Sequence, residues 1–90
     1  MIITKKEFQV LYSIDEGKND IREIKQTVNI EVDKIKKILE KLEKQVLIKL
    51  TKKEDFWFAY VTEKANKGYI SNKKYSKWIP DTFRMLTPTF

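Results

Sequence analysis

The strongest structural pattern of the 90-residue chain lies in residues 20–48, which read DIREIKQTVNIEVDKIKKILEKLEKQVLI. In the second half of this stretch, apolar side chains recur three, four and seven residues apart, at Ile35, Ile38, Leu39 and Leu42. Such spacing lines one face of an α-helix, and the remaining positions are mostly charged. The pattern predicts a helix over 31–45 with one buried face and one solvent-facing face.

The first half of the stretch predicts a shorter helix over 21–28. Asp20 is a candidate N-cap, because a carboxylate there can accept hydrogen bonds from the free N–H groups of the first turn. The apolar face of this helix consists of Ile21, Ile24 and Val28. Asn29 tolerates the left-handed conformation that commonly ends a helix. A tight turn is therefore expected between the two helices.

Another helix is predicted upstream, over 4–16. Thr4 and Glu7 have the spacing of a capping box, in which each residue's side chain accepts a hydrogen bond from the other's backbone. An apolar stripe at helical spacing follows, formed by Phe8, Leu11 and Tyr12. Gly17 ends the element. This helix supplies a third apolar face to the predicted core.

A β-hairpin is predicted downstream. Residues 47–51 and 56–61 are rich in β-favouring side chains, and the polar residues 52–55 form the tip between them. Thr62 is expected to cap a further helix over about 63–72. In the last segment, Pro80 suits the first turn of a short helix over 81–86.

The order of these elements predicts the fold class. Helix, helix, helix, hairpin, helix is the order of a winged helix-turn-helix domain. We therefore expect an α+β fold with a three-helix core, a two-stranded β-wing, a fourth helix and an irregular aromatic tail. The predicted domain covers residues 1–72, and the tail rich in aromatic residues and proline covers residues 73–90.

The middle of the chain resembles the winged-helix domain of small prokaryotic and archaeal DNA-binding regulators of the MarR type. The resemblance is carried by residues 20–48 and by the segment Tyr60-Val61-Thr62-Glu63-Lys64-Ala65. The shared pattern is a helix, a small-residue turn, a recognition helix ending in Leu-Glu-Lys, and a Leu-Ile step into the wing. The resemblance implies a transcription regulator that binds duplex DNA.

The sequence departs from the MarR-type pattern in three places. Asn29 replaces the turn glycine, and tolerates the same backbone conformation. Val46 stands where a glycine usually precedes the wing. The recognition helix of the family usually begins with Ser, Thr and Gln, whereas the matching residues 31–34 read Glu-Val-Asp-Lys. Two carboxylates therefore lie at the end of the helix that the family uses to read bases.

Composition excludes several classes of function. The chain has 19 basic and 13 acidic residues, a net charge of +6, and neither cysteine nor histidine. It therefore lacks disulfides, thiolate or imidazole metal ligands, and nucleophile–histidine pairs. We expect a protein that is not an enzyme, needs no cofactor and binds an anionic partner. No apolar run suits a membrane helix or a signal peptide, so a cytoplasmic location is expected.

The candidate DNA-binding residues are the lysines of the recognition helix and wing: Lys34, Lys37, Lys41, Lys52 and Lys53. At about 100° per residue, the three helical lysines fall along one solvent-facing stripe, where they can contact phosphates. The alternative is a self-paired surface, because Asp33–Lys37 and Glu40–Lys44 have favourable spacing for ion pairs. Both interpretations stay open at this stage.

The tail supplies the candidate partner-binding residues: Tyr75, Trp78, Ile79, Phe83, Leu86 and Phe90. So many large apolar groups do not make a solvated tail. They can pack on their own domain, form a homodimer contact, or dock into a larger protein. The strand over 56–61 raises a related question, because only one of its faces can pack on the core. The tail can cover the other face, or that face can stack single-stranded bases.

The leading hypothesis is a small winged-helix DNA-binding protein, either a transcription regulator or a chromatin-like duplex binder. Low sequence selectivity is expected, because the recognition helix offers no Arg, Asn or Gln before Gln45. The alternative is an accessory subunit of a nucleic-acid-processing complex, such as a polymerase assembly, that docks through its tail and wing.

Residues 1–62 carry a charge of +2 (13 basic, 11 acidic) and residues 63–90 carry +4 (6 basic, 2 acidic), which makes the tail a candidate for function.

Overall fold

The computed structural model describes residues 3–54 and 56–84. Its helices and strands are, in chain order, α1 (Lys5–Asp15), α2 (Ile21–Val28), α3 (Val32–Lys44), β1 (Ile48–Lys53), β2 (Phe56–Val61), α4 (Glu63–Ala65), a π-helical turn (Asn66–Ile70), a 3-10 helix (Lys73–Trp78) and α5 (Asp81–Arg84). This order confirms the predicted α+β winged-helix architecture.

The first two helices begin where the capping residues predict. Thr4 and Glu7 form the expected capping box, with the Glu7 N–H donating to Thr4 Oγ1 at 3.2 Å and the Thr4 N–H donating to Glu7 Oε1 at 3.0 Å. Asp20 caps α2, since its Oδ1 accepts from the Arg22 N–H at 2.7 Å. These local bonds satisfy backbone donors that a helix start otherwise leaves without partners.

The core lies between the three helices and the inner face of the wing. Its largest fully buried apolar side chains are Phe8, Leu11, Ile24, Ile35, Leu39, Leu42 and Leu47. The helical members come from the apolar stripes of the sequence. Because each stripe faces the same centre, α3 is held with its charged face toward solvent.

The wing is an antiparallel pair extended by a short third segment. β1 pairs with β2 in the register Ile48↔Val61 to Lys53↔Phe56. On the free edge of β2, Asp20 forms a bridge with Phe58. The Ala59 N–H donates to the Asn19 carbonyl at 3.0 Å, and Asn19 Nδ2 donates to the Ala59 carbonyl at 2.7 Å. The loop before α2 therefore closes the edge of the sheet, a contact that the sequence analysis did not predict.

The turns on either side of α3 adopt the left-handed conformation. Asn29 has φ 54° and ψ 48°, which confirms the prediction for the turn between α2 and α3. Val46 has φ 60° and follows α3. The Val46 N–H donates to the Glu43 carbonyl and the Leu47 N–H donates to the Leu42 carbonyl, the paired bonds of a Schellman C-cap. Val46 thus occupies the position at which such caps usually carry glycine.

Two predicted boundaries need correction, and a third lies partly outside the described residues. β1 runs to Lys53, so Lys52 and Lys53 are strand residues and not part of the tip. The helix predicted over 63–72 is α-helical only through Ala65 and then widens into the π-helical turn. Gly68 lies inside that turn, where its weak helical preference favours a departure from α geometry. The short helix after Pro80 is described as Asp81–Arg84, and predicted positions 85 and 86 lie outside the described residues.

Candidate nucleic-acid interface

The solvent-facing surface of α3 is the first candidate interface. Ile35, Leu39 and Leu42 are buried, so the opposite side of the helix points away from the core. At about 100° per residue, Asp33, Lys37 and Lys44 lie near the centre of that exposed side. The predicted lysines of α3 and the wing differ in their exposure and in their ion-pair partners.

Lys34 and Lys37 are exposed and available to a ligand. Within residues 3–54 and 56–84, neither ammonium group forms an ion pair with a carboxylate. Lys34 lines a shallow pocket together with Lys6 of α1 and Glu31 of the turn. Of the predicted lysines on α3, these two are the ones without a carboxylate partner among the described residues.

Lys41 is held by α1. Its Nζ lies 2.8 Å from Glu7 Oε2, and the Glu7 side chain is only 8 % exposed. Burial of Glu7 favours the neutral carboxyl, but bonds from Lys41 and Thr4 outweigh that effect and lower the pKa of Glu7. The pair therefore ties α3 to the start of α1, and Lys41 has a structural partner besides any phosphate.

Lys52 connects the wing to α3. Its Nζ lies 2.8 Å from Glu40 Oε2 and 4.8 Å from the centre of the Trp57 ring. Lys36 of α3 lies 5.3 Å from the same ring centre, so Trp57 carries a cation from each element. The Lys52 ammonium lowers the pKa of Glu40. The wing is thus positioned against α3 by charge and ring contacts.

Lys53 lies on the opposite face of the wing from Lys52. It pairs in register with Phe56, whereas Lys52 pairs with Trp57, and neighbouring strand positions point to opposite faces. The structure therefore does not bring the two wing lysines together on one surface. The sequence analysis placed both in the tip, where alternation between faces does not apply.

The tail packs on α1 as far as Phe83. The ring centres of Tyr75 and Trp78 lie 5.5 and 6.2 Å from that of Phe8, and the Phe83 ring lies 5.4 Å from Tyr12. Intramolecular packing, one of the three interpretations of the tail, is confirmed for these rings. Ile79 also packs on the core, whereas Leu86 and Phe90 lie outside the described residues.

The outer side of β2 is left open. Phe56, Phe58 and Tyr60 are 45 %, 36 % and 58 % exposed. The part of the tail that the structure describes therefore does not cover this face, which weighs against the interpretation that the tail packs on the outer side of the strand. Trp57 and Ala59 point the other way, toward α3 and the core.

Solved structures of other proteins share this fold. Lactococcus lactis ZitR, a zinc-responsive MarR family member, matches with a TM-score of 0.71 at 21 % identity, covering 96 % of this chain and 62 % of ZitR. ZitR solved in complex with DNA gives 0.70 at 24 % identity, with 96 % and 61 % coverage. Streptococcus pneumoniae FabT in complex with DNA gives 0.69 at 14 % identity, with 96 % and 63 % coverage. AF1382 from Archaeoglobus fulgidus gives 0.67 at 17 % identity, with 97 % and 94 % coverage.

The comparisons establish the fold of this chain, a winged helix that it shares with these proteins. The chain spans about three fifths of the length of ZitR and FabT, and most of AF1382. No protein-family model matches the chain, and no curated protein matches it in sequence. No helix among residues 3–54 and 56–84 is long and apolar enough to cross a membrane.

Proposed function

We propose that this protein is a winged-helix regulator that binds duplex DNA through α3. The observation that carries the proposal is the exposed α3 face with Lys34 and Lys37. ZitR and FabT share the fold of this chain, and both were solved in complex with DNA. In such an arrangement the recognition helix enters the major groove and lysines contact phosphates.

The predicted lysines divide into two groups within this proposal. Lys34 and Lys37 supply direct phosphate contacts, and Lys53 supplies a contact from the wing. Lys41 and Lys52 keep their partners Glu7 and Glu40, and contribute mainly by orienting α3 and the wing. Binding should therefore depend most on the lysines that have no carboxylate partner among the described residues.

Low sequence selectivity is part of the proposal. Specific base contacts favour Arg, Asn and Gln near the start of a recognition helix. Here the start carries Glu31 and Asp33, and the Glu31 side chain makes no capping hydrogen bond. Lysine binds phosphate as a point charge and discriminates bases less than a bidentate arginine does. We expect affinity to vary little between duplexes of different sequence.

The zinc response of ZitR is not carried over to this chain. The sequence has no histidine and no cysteine, the residues that most often hold zinc in proteins. Within the part of the chain that the structure describes, no group of three or more Asp and Glu residues could hold a metal ion. Regulation by zinc is therefore left out of the proposal.

The accessory-subunit alternative has less support. Three of its proposed contact residues, Tyr75, Trp78 and Phe83, already pack on rings of α1. A partner that used them would have to displace these intramolecular contacts. The alternative remains a proposal for the rest of the tail.

A pair of charge reversals tests the main proposal. Lys34→Glu/Lys37→Glu should abolish a duplex gel shift at low salt, because it places four units of charge change on the α3 face. Lys73→Glu/Lys77→Glu makes the same change on the exposed side of the 3-10 helix and should leave most of the binding intact. An unchanged shift for the α3 variant, or a larger loss for the tail variant, would contradict binding through α3.

A further inference from the structure

The outer face of the wing combines aromatic and cationic side chains. It comprises Lys49, Thr51 and Lys53 of β1 and Phe56, Phe58 and Tyr60 of β2. The register pairs Lys49 with Tyr60, Thr51 with Phe58 and Lys53 with Phe56, so all six point to the same side. All six are exposed. The opposite side of the hairpin is the one that packs on α3 and the core.

The three rings form a row along β2. Alternate residues of a strand are separated by about 7 Å, so three of them span roughly 14 Å. The Phe56 and Phe58 ring centres are 6.2 Å apart and their planes differ by 21°. The Arg22 guanidinium lies 5.0 Å from the Phe56 ring centre and extends the row toward α2. Several flat groups are thus presented to solvent side by side.

The charge of this face is positive. Lys49 and Lys53 flank the rings on β1, and Arg22 adds a third cation. The Arg22 guanidinium is itself paired with Asp20, whose Oδ2 lies 3.3 Å from the Arg22 Nη2, so Lys49 and Lys53 supply the uncompensated charge among the described residues of this face. Burying the lysines against an apolar protein surface would cost free energy, because their ammonium groups would lose water without gaining an anion. A polyanion with flat apolar groups complements the face better.

We propose that the outer face of the wing binds single-stranded nucleic acid. Bases stack on Phe58 and Tyr60, and the phosphates between them lie against Lys49 and Lys53. Stacking of this kind tolerates any base sequence, because every base has a π-face. In a duplex the bases are already paired and stacked, so the face selects single strands. This site shares only Lys53 with the proposed duplex interface and lies apart from the α3 lysines, so its occupation does not require duplex binding.

The test measures binding of a fluorescein-labelled oligo(dT) by anisotropy, beside an abasic strand with the same number of phosphates. Wild-type protein should bind oligo(dT) at least about thirtyfold more tightly than the abasic strand, because bases stack on both Phe58 and Tyr60 and the abasic strand has none to stack. Phe58→Ala/Tyr60→Ala should lose about tenfold or more in affinity for oligo(dT). The conservative Phe58→Tyr/Tyr60→Phe should retain it.

Two further variants distinguish binding at this site from binding at α3, and thermal melts distinguish a lost contact from a folding defect. Lys49→Glu/Lys53→Glu leaves the rings in place. It should weaken binding of both oligo(dT) and the abasic strand, because both present phosphates to these lysines. Lys34→Glu/Lys37→Glu should lose duplex binding while retaining oligo(dT) binding. Thermal melts of every variant establish that the domain is folded.

Three results would overturn the proposal. The first is equal affinity of the wild type for oligo(dT) and the abasic strand. The second is wild-type affinity for oligo(dT) in a folded Phe58→Ala/Tyr60→Ala variant. The third is wild-type self-association that this variant abolishes, without oligo(dT) binding by the wild type, because a second copy of the chain would then be the occupant.

Discussion

Lys41 Nζ lies 2.8 Å from Glu7 Oε2, and this ion pair joins α3 to the first turn of α1. Glu7 is nearly buried and also completes the capping box with Thr4. The Glu7 carboxylate therefore both caps the start of α1 and fixes the position of α3 through Lys41. The contact gives a structural role to a lysine that the sequence analysis assigned to DNA.

Removing the Lys41 ammonium should destabilise the protein more than removing its neighbour on the exposed face. Lys41→Met leaves the Glu7 carboxylate nearly buried without its cation, and we expect a loss of about 1–2 kcal/mol in the free energy of unfolding. Lys37→Met should change stability by less than about 0.5 kcal/mol. Urea denaturation of the two variants measures the difference, and equal stabilities would contradict a structural role for Lys41.

Stability should fall in acid partly through Glu7. The pKa of Glu7 lies below its ordinary value of 4.5. Just below pH 4.5 the unfolded chain therefore binds more protons than the folded one, so the contribution of Glu7 is complete above that pH. It is lost as the pH falls through the lowered pKa. Glu7→Gln should flatten the decline in urea midpoint below pH 4.5. Asp20 and Glu40 also have lowered pKa values and keep part of the slope.

Val46→Gly should stabilise the protein. The left-handed conformation costs a side-chain-bearing residue about 1–2 kcal/mol, while the extra freedom of glycine in the unfolded chain costs about 0.5–1 kcal/mol. We expect a net gain of about 0.5–1 kcal/mol, measured as a raised urea midpoint. The matched control is Lys44→Gly, two residues earlier in right-handed helix, which should lose about 1 kcal/mol. A loss in both variants would show that the Val46 conformation is not strained.

Trp78→Ala should destabilise the domain by about 2 kcal/mol, less than a fully buried tryptophan would, because the ring is half-buried. The ring contacts Phe8 and Tyr75, and the Trp78 carbonyl accepts from Gln9 Nε2 at 3.2 Å. Lys77→Ala changes an exposed neighbour and should have little effect. Chemical denaturation distinguishes the two, and equal midpoints would mean that the tail adds nothing to the stability of the domain.

Much of the fold could be predicted because its signals are local. The capping box at Thr4, the cap at Asp20 and the left-handed turn at Asn29 each depend on residues within one turn of helix. The stripe from Ile35 to Leu42 identified the buried face of α3 for the same reason. The bounds of α2 were predicted to the residue, since a cap and a turn signal mark its two ends.

The candidate site was less predictable because its partners are distant in sequence. Glu7 and Lys41 are 34 residues apart, and neither position predicts the other. Lys52 and Lys53 were grouped in the tip because the strand boundary was placed two residues early. Neighbouring residues of a strand point to opposite faces of the sheet, so the two lysines lie on different sides of the wing. The error of two residues in the strand boundary had placed them together.

The sequence by itself determined the order of the elements, the helix caps and the buried stripes, because periodicity and capping act over a few residues. Only the tertiary structure decided which lysines are held and which are available, because that depends on the carboxylates that packing brings within about 4 Å. It also decided that Tyr75 and Trp78 cover α1 while Phe56, Phe58 and Tyr60 stay exposed. Both groups consist of aromatic residues, and position in the packed domain made the difference.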